Sequence, residues 1–424
     1  MAWGAEDTAV SKLPPKLQYA FTLMVDEAAE ALTRRLHEEE KKVENLRGVI
    51  KFRNVEKEKD AENYRGLRVG VVDGSVSPEL NERTGRRLGV YTVSYMVFED
   101  MHVISDNDDD SMRIGYIVAP QTGAGAHARK ILNLLATYYE REMAKTCMQK
   151  YNPDLLIIDG SFFGFRAWCS KISNKTLEDF NGVAGFRTVS ELIDKTYKIS
   201  RELAESRKAV GIVKRVRTQA IDGWLYSRRW RKEDITSLND KLILSKLMRS
   251  GELFDYRDLL GEKWSYHHFS SIITWINDIE KRILPRCGRE ERLKRVMDYV
   301  DSKVKTQIKT DLCVDGDGKC ADERYGSIVG MRRVYLKACD FAQPVCIEFG
   351  EAVALDSVVG YIMASVNDST GLPFPLDIVD SNITLDRRIA KEFADDVEVR
   401  LLDLKRIEAR KLREGFLSWN PQKG

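Results

Sequence analysis

Apolar and polar positions follow a helical pattern in the first part of the chain. Between residues 16 and 48, apolar side chains recur every three or four positions, at Leu17, Phe21, Met24, Ala28 and Leu32. This spacing predicts one or two amphipathic helices. The apolar stripe fits either a solvated helix or a contact with a partner or a second copy. Residues 1–62 are therefore predicted to form an N-terminal helical region.

The pattern of residues 63–162 is that of strands around one long helix. Apolar and β-branched runs predict four strands, at residues 67–72, 90–98, 114–118 and 154–158, and a helical pattern at 126–151 precedes the fourth. The fourth run is apolar on both faces, as is typical of a central parallel strand. This order predicts the first part of an α/β core.

Residues 163–324 are mainly helical in pattern and strongly charged, with few runs typical of strands. Strand patterns return at residues 327–338, 345–349 and 358–366, and a charged helix is predicted from Leu385 to Arg413. We therefore predict that 163–324 form a large helical insertion. Residues 325–424 would complete the core and end in the C-terminal helix.

Composition narrows the class of protein. The chain has 424 residues, a hydrophobic fraction of 43% and a net charge of +2, which is typical of a folded, highly charged protein and excludes a histone-like one. No run of 18 apolar residues predicts a membrane span, and the first residues lack the pattern of a secretory signal. The expected location is the cytoplasm. The seven cysteines predict neither a disulfide scaffold nor a zinc site.

Three general motifs are weak or absent. The chain contains no P-loop motif. Gly123 and Gly125 loosely fit a dinucleotide-binding turn, but no well-placed acidic residue ends the next strand, so a glycine-rich turn is the better interpretation. Asp315 and Asp317 loosely fit a calcium loop, but Cys313 stands where an oxygen ligand is needed. A polar turn explains that segment better.

A basic stretch with aromatic residues lies within the predicted insertion. Residues 201–250 contain 13 Lys or Arg and 6 Asp or Glu, a local net charge of +7, with Trp224, Tyr226 and Trp230 among the cations. Such a stretch can follow a phosphate backbone and stack on bases; the equal alternative is a helical region with buried aromatics and solvated cations. The candidate DNA contacts are Lys214, Arg215, Arg217, Arg228, Arg229 and Arg231.

The tripeptide Asp-Gly-Ser occurs twice, each time at the end of a predicted apolar strand. Asp73 ends the first of these strands and Asp159 the fourth. In α/β sheets, ligands and chemistry lie at the carboxyl ends of strands. A single Asp there would most simply cap a turn, but two on neighbouring strands favour a divalent metal. With an acid from the intervening helix, either Glu140 or Glu142, they form the metal constellation of a ribonuclease H-like fold.

Three segments together resemble the NurA family of nucleases. They are Val71-Val72-Asp73-Gly74-Ser75, Leu156-Ile157-Ile158-Asp159-Gly160-Ser161, and the C-terminal segment from Gly371 to Asp380. In the family the last segment reads Gly-Tyr-Pro-Tyr-Pro-Leu, then three residues, then His. Here Leu372 replaces the Tyr and Asp380 the His.

The resemblance implies an α/β, ribonuclease H-like mixed-sheet core that binds Mn²⁺ or Mg²⁺. Asp73, Glu142, Asp159 and Asp380 would be the catalytic metal ligands, with Glu140 as the alternative on the helix. It further implies 5′ to 3′ exonuclease and single-strand endonuclease activity on single- and double-stranded DNA ends, in an archaeal, nucleoid-associated protein. The expected partners are a second copy, in a homodimer, and a HerA-type hexameric ATPase in DNA-end resection and recombinational repair.

Two other functions remain as alternatives. The departures at Leu372 and Asp380 keep a non-catalytic DNA-binding adaptor of the ATPase, on the same fold, as the main one. Convergence of the four carboxylates would favour the nuclease over the adaptor. A dinucleotide-dependent enzyme would instead bind its cofactor at Gly123 and Gly125 and need no divalent metal.

Overall fold

The computed structural model describes residues 10–55, 64, 66–77, 86–105, 109–183, 185–313 and 318–403. The described strands form one 10-stranded mixed sheet with the order β1-β8-β9-β10-β7-β6-β2-β3-β4, and β5 also pairs with β3. The strands are β1 Arg53–Asn54, β2 Arg68–Val76, β3 Arg86–Glu99, β4 His102–Val103, β5 Met112–Pro120, β6 Leu155–Asp159, β7 Ala209–Val213, β8 Glu252–Asp255, β9 Arg332–Lys337 and β10 Val345–Phe349.

Helices cover both faces of this sheet. They are α1 Pro15–Glu44, α2 Ala128–Tyr151, α3 Arg166–Cys169, α4 Val189–Glu205, α5 Ala220–Arg229, α6 Asp240–Leu247, α7 Tyr256–Leu260, α8 Tyr266–Thr274, α9 Ile276–Asp278, α10 Arg292–Leu312, α11 Gly318–Val329, α12 Leu355–Ala364, α13 Phe374–Ile383 and α14 Arg387–Asp403. No helix in these described ranges is long and apolar enough to cross a membrane.

The centre of the sheet has the arrangement that the sequence pattern predicts. β2 pairs in parallel with β6 and antiparallel with β3, β3 pairs antiparallel with β5, and β6 pairs in parallel with β7. The helix α2 connects β5 to β6 and packs on β2 and β3. A parallel pair needs such a crossover connection, which places the ends of β2 and β6 side by side.

Side chains of each strand alternate between two hydrophobic clusters, one on each face of the sheet. Val72 and Ile158 belong to the cluster packed by α2, whereas Val71 and Ile157 belong to the cluster packed by α12 and α13. Because successive residues of a strand point to opposite faces, the residues after Val72 and Ile158 face α13. Those residues are Asp73 and Asp159.

The predicted helical insertion differs from the structure in one important respect. Residues 163–324 are mainly helical, but they also supply β7 and β8 to the core sheet. β7 is buried along its whole length and is short, so its five apolar residues are not distinguishable from a helical segment by pattern alone. The segment is therefore part of the core sheet, and the domain limits at 62, 162 and 324 stay a prediction.

Near the C-terminus, the strand predicted at 327–338 is present but shorter, and the strand predicted at 358–366 is wrong. Residues 327–329 end the helix α11, and the strand begins only at Arg332. Residues 355–364 form the helix α12. Its β-branched residues suggested a strand, but Val358, Val359 and Ile362 are buried together at helical spacing, so tertiary packing overrides their strand propensity. The C-terminal helix is confirmed up to Asp403; its predicted end at Arg413 lies outside the described residues.

Candidate metal centre

Asp73 lies at the carboxyl half of β2 and is only 2% exposed. Its Oδ1 accepts a hydrogen bond of 2.6 Å from the backbone N–H of Gly74. Its Oδ2 is buried and has no hydrogen-bond donor among the described residues. A buried carboxylate oxygen without a donor is costly, so this atom is suited to a cation.

Asp159 is the last residue of β6 and lies beside Asp73 of β2. Val72 pairs with Ile158 in the parallel register, so Asp73 and Asp159 follow at the same level. Gly160 then turns the chain with a φ of +99°, a conformation that glycine adopts without strain. One oxygen each of Asp73, Asp159 and Asp380 lie within 4.8 Å of one another, and we call these three residues the carboxylate cluster.

Asp380 reaches the cluster from the helix α13. The turn before this helix is fixed by Asp377, which accepts hydrogen bonds from Asn367 and Thr370. Gly371 adopts a φ of +73°, and a Cβ there would lie 2.4 Å from the Cβ of Ala342. The helix packs on β2 and β3, which explains how the Gly-Leu-Pro-Phe-Pro-Leu segment positions an acid seven residues after Pro373.

Leu372 stands where the family has a tyrosine. Its side chain is half-buried and packs against the hydrophobic cluster on the α13 face. It supplies an apolar contact to this turn and has no hydroxyl to offer the site.

Lys214 places its ammonium group among the three carboxylates. Its Nζ lies 3.1 Å from Asp159 Oδ2, 3.2 Å from Asp380 Oδ1 and 3.9 Å from Asp73 Oδ2. Lys214 directly follows β7, two residues after Ile212, so alternation places it on the face that carries Asp159. The sequence identified this residue as a DNA contact and missed its place in the cluster, because β7 was not recognised as a strand.

Burial is the main cause of the raised pKa values of the aspartates at the site. It raises the pKa of Asp73 well above its usual range, and the charges of Asp159 and Glu140 add to this while Lys214 opposes it. Burial also raises the pKa of Asp159, against the lowering effect of Lys214. For Lys214 the sign is the opposite: burial lowers its pKa, but the three carboxylates outweigh burial and raise it. The site therefore holds positive charge or protons in place of a full set of bare carboxylates.

The helix α2 directs Glu140 to the site from the opposite face of the sheet. A Cβ on Gly74 would lie 3.2 Å from Glu140 Oε2, so the missing side chain of Gly74 makes room for this carboxylate. Arg141 donates to Glu140 Oε1 at 2.6 Å and to the carbonyl of Ser161 at 3.0 Å. Burial raises the pKa of Glu140 to about 7, Arg141 lowers it and Asp159 raises it.

Glu142 lies elsewhere on the helix. Its carboxylate accepts a hydrogen bond from the Tyr138 hydroxyl, in a region where Tyr138 packs edge-on against Phe186. Two residues on a helix are separated by roughly 200° around its axis, so only one of the two glutamates can point at β2. The geometry does not support the sequence-based choice of Glu142 and favours Glu140.

The serines of the two Asp-Gly-Ser segments fix neighbouring backbone. Ser75 Oγ accepts a hydrogen bond from the backbone N–H of Leu385, at 3.0 Å. Ser161 Oγ donates to Glu348 Oε1 at 2.7 Å. Each serine ties the end of its strand to a C-terminal segment of the core, which stabilises the two aspartates in register.

The remaining basic candidates do not reach the carboxylate cluster. Arg215, Arg217, Arg228, Arg229 and Arg231 are exposed. Tyr226 is buried, and Trp224 and Trp230 pack against the core, as the structural alternative for this stretch expected. The Tyr226 ring is therefore not free for bases to stack on, the two tryptophan rings are half-buried, and the exposed arginines stay candidate DNA contacts.

Several other groups have structural explanations. Ser265, His268 and Asp301 form a hydrogen-bonded chain that resembles a hydrolytic triad, but Ser265 and His268 form the capping box of α8. At Gly125 a Cβ would lie 1.7 Å from the Pro120 carbonyl oxygen, so tight packing accounts for that glycine. Asp315 and Asp317 of the loose calcium-loop motif lie outside the described residues.

The described cysteines lie in or near the core. They are free thiols, and most are buried, as for Cys147, Cys169 and Cys346. Burial raises the pKa of Cys147 to about 12. These thiols are typical of packed core residues.

The fold is an α/β, ribonuclease H-like mixed-sheet fold. The chain matches no protein-family model and no curated protein, but it matches solved structures. The NurA nuclease from Sulfolobus solfataricus superposes with a TM-score of 0.50 at 12% sequence identity, over 92% of this chain and 98% of that one. A structure of NurA with manganese gives 0.41 at 9% identity, over 85% and 94%. Endonuclease V from Bacillus subtilis gives 0.30 at 14%, over 84% and 91%.

The fold assignment rests on the Sulfolobus structure, because its TM-score reaches 0.50. At 12% identity the similarity establishes the fold alone. The resemblance to NurA that three short sequence segments suggested is thus confirmed at the level of the fold.

Proposed function

We propose that this protein is a divalent-metal-dependent deoxyribonuclease that hydrolyses phosphodiester bonds. The observation that supports this most directly is the convergence of Asp73, Asp159 and Asp380 within 4.8 Å at the ends of β2 and β6. No described residue donates a hydrogen bond to Asp73 Oδ2 there. A nuclease fold with carboxylates in this position is suited to phosphoryl chemistry.

The donor set fits Mn²⁺ or Mg²⁺. Asp73, Asp159 and Asp380 would hold the metal, and Glu140 would complete the set from α2. Hard divalent cations prefer carboxylate oxygens and keep some of their water. When bound, such a cation supplies an activated water and neutralises charge on the phosphate.

The protein's own residues then have distinct tasks. The burial of Asp73 and Glu140 keeps water from weakening their interactions with charge. Arg141 orients Glu140 and fixes the turn at Ser161. Lys214 neutralises the carboxylates before a metal binds and lies within reach of a phosphate oxygen that approaches the same edge.

The exposed arginines support DNA as the substrate. Arg215, Arg217, Arg228, Arg229 and Arg231 follow the site along one stretch of chain, and cations of this kind position a phosphate backbone without reading its sequence. Cleavage from 5′ to 3′, single-strand endonuclease activity and a role in DNA-end resection and recombinational repair with a HerA-type helicase are proposed from the NurA resemblance. A nucleoid-associated location in the cytoplasm would follow from that role.

A homodimer is the proposed assembly, and α1 is its most suitable surface. Leu17, Phe21, Met24 and Leu32 are exposed along one stripe of this helix. Contiguous apolar patches of this kind mark interaction sites. The substitution Phe21→Glu should convert a dimer to a monomer in light scattering, whereas Arg34→Glu, on the same helix, should not. If the wild-type protein is a monomer, the apolar stripe of α1 becomes the candidate contact with the ATPase.

The deciding experiment is cleavage of end-labelled single- and double-stranded DNA in manganese, magnesium or EDTA. Wild-type protein should cut only with a divalent metal, and Asp73→Ala should bind DNA without cutting. DNA binding without cleavage in every metal would favour the non-catalytic adaptor. Labelling the 5′ and 3′ ends separately would give the polarity.

A further inference from the structure

A cleft lies beside the carboxylate cluster, on the opposite face of the same sheet edge. Its volume is about 460 Å³, and three arginines line it: Arg166, Arg217 and Arg333. We call it the arginine cleft. Ser161, which also lines it, follows Asp159 by two residues, and two residues of extended chain span at most about 7 Å. The cleft and the carboxylate cluster are therefore adjacent.

One arginine of the cleft is fully paired. Arg333 Nε donates to Glu348 Oε2 at 2.7 Å, and Arg333 Nη1 donates to Thr218 at 3.1 Å. Glu348 is 1% exposed and also accepts from Ser161 Oγ and from the backbone N–H of Phe162. This pair fixes the floor of the cleft and the turn after β6.

A second arginine is only partly satisfied. Arg166 Nε lies 3.6 Å from Asp311 Oδ2, beyond hydrogen-bond distance. Its Nη1 is buried and makes no hydrogen bond within the described residues. A buried guanidinium N–H without an acceptor is costly, which indicates that an acceptor from outside the chain belongs here.

The third arginine is not paired with any acid in the described part of the chain. Arg217 is exposed, lines the cleft and forms no ion pair with any described residue. It lies three residues after Lys214, so one short loop supplies a cation to the carboxylate cluster and another to the cleft. The cleft holds three arginines against two acids, Asp311 and Glu348.

We propose that the arginine cleft binds a phosphate group of the DNA strand that is cut at the carboxylate cluster. The proposal rests on the proposed nuclease function and adds a subsite to it. Guanidinium groups bind phosphate oxygens through paired, charge-assisted hydrogen bonds, and the hydroxyl of Ser170 at the rim of the cleft offers a further donor. The group is either the terminal phosphate of a strand end or a phosphodiester within the strand.

The test measures binding without cleavage. Three single-stranded DNA probes with a fluorescent label are compared in EDTA by anisotropy: a 5′-phosphorylated oligonucleotide, the same oligonucleotide with a 5′-hydroxyl, and a circular one. The variant Arg217→Gln is compared with Arg215→Gln, which removes an exposed arginine two residues away that does not line the cleft.

We expect Arg217→Gln to weaken DNA binding about tenfold and to reduce the slope of log affinity against log salt concentration by about one. Its effect on affinity should exceed that of Arg215→Gln. If only the 5′-phosphorylated probe loses affinity, the cleft binds the terminal phosphate. If all three probes lose affinity equally, the cleft binds an internal phosphodiester. Equal effects of the two substitutions, or none, overturn the proposal.

A second variant separates binding from folding. Arg166→Lys keeps the charge near Asp311 but loses the planar guanidinium; its melting temperature should stay near that of the wild type while phosphate binding falls. Because DNA binding is measured without metal, the assay gives a result even if the protein does not cleave DNA. Failure of the nuclease function and failure of the cleft are therefore distinguishable.

Discussion

The carboxylate cluster and the arginine cleft lie on opposite faces of one sheet edge and balance their charges differently. In the cluster, three acids face one cation, Lys214. In the cleft, Glu348 is fully bonded and each acid has an arginine nearby. The acids exceed the cations on one face, and the cations exceed the acids on the other.

This difference separates the parts of the edge that stabilise the fold from those that are suited to a ligand. Glu348 and Arg333 satisfy each other at short distance, as buried ion pairs must. Asp73 Oδ2 and Arg166 Nη1 are buried and make no hydrogen bond within the described chain. Each costs free energy in the absence of a ligand, and their opposite signs suit a divalent cation and a phosphate.

Asp73→Asn tests the cluster with the largest expected effect. Metal-dependent cleavage should fall about 1,000-fold, since several kcal/mol of charge stabilisation is lost. The fold should survive and gain about 1–3 kcal/mol without metal, because a buried charge is removed. Raised carboxyl pKa values make the native state less stable as pH rises through them, so the gain should be greater at pH 8 than at pH 5.

Cleavage rates and urea unfolding at both pH values measure these effects. A variant that unfolds would show instead that Asp73 mainly supports the strand β2 around Gly74.

Glu348→Gln makes the corresponding change in the cleft and should have the opposite effect on stability. It leaves the buried guanidinium of Arg333 without its charge partner, and breaking such a pair costs about 3 kcal/mol. Urea unfolding of the two variants side by side measures the contrast. A stability gain in both would show that the two faces do not differ in the way proposed.

Glu140→Gln and Glu142→Gln form a matched pair on α2. We expect Glu140→Gln to reduce cleavage or manganese affinity 10- to 100-fold, because Glu140 lies at Gly74. Glu142→Gln should change both very little, because Glu142 is bonded to Tyr138. Manganese titrations monitored by thermal melting distinguish them, and the reverse order would restore the choice made from the sequence.

Lys214→Met has the smallest expected effect and concerns the cluster without metal. Lys214 is 27% exposed, so its loss should destabilise the protein by about 1 kcal/mol. Manganese should reverse this loss, because a divalent cation replaces the missing charge. The rescue should be stronger at pH 8 than at pH 6, since the raised pKa values of Asp73, Asp159 and Glu140 make metal compete with protons. If manganese does not restore the lost stability, Lys214 stabilises the fold independently of the metal site.

The sequence determined the sheet centre and most of the carboxylate cluster. Strands β2 and β6 and the helix α2 follow from local hydrophobic periodicity, and an Asp-Gly-Ser segment follows the apolar run of each strand. Alternation along a strand fixes the face on which Asp73 and Asp159 lie once the strands are known. Asp380 came from the resemblance of its segment to NurA, and the structure brings it to the other two.

Only the tertiary structure decided the rest, because it depends on contacts between residues far apart in the sequence. The choice between Glu140 and Glu142 depends on how α2 is rotated over β2, and the missing side chain of Gly74 decides it. The place of Lys214 depends on β7 lying beside β6, in a segment whose pattern is mainly helical. Such long-range packing determines the site without leaving a periodic pattern in the sequence.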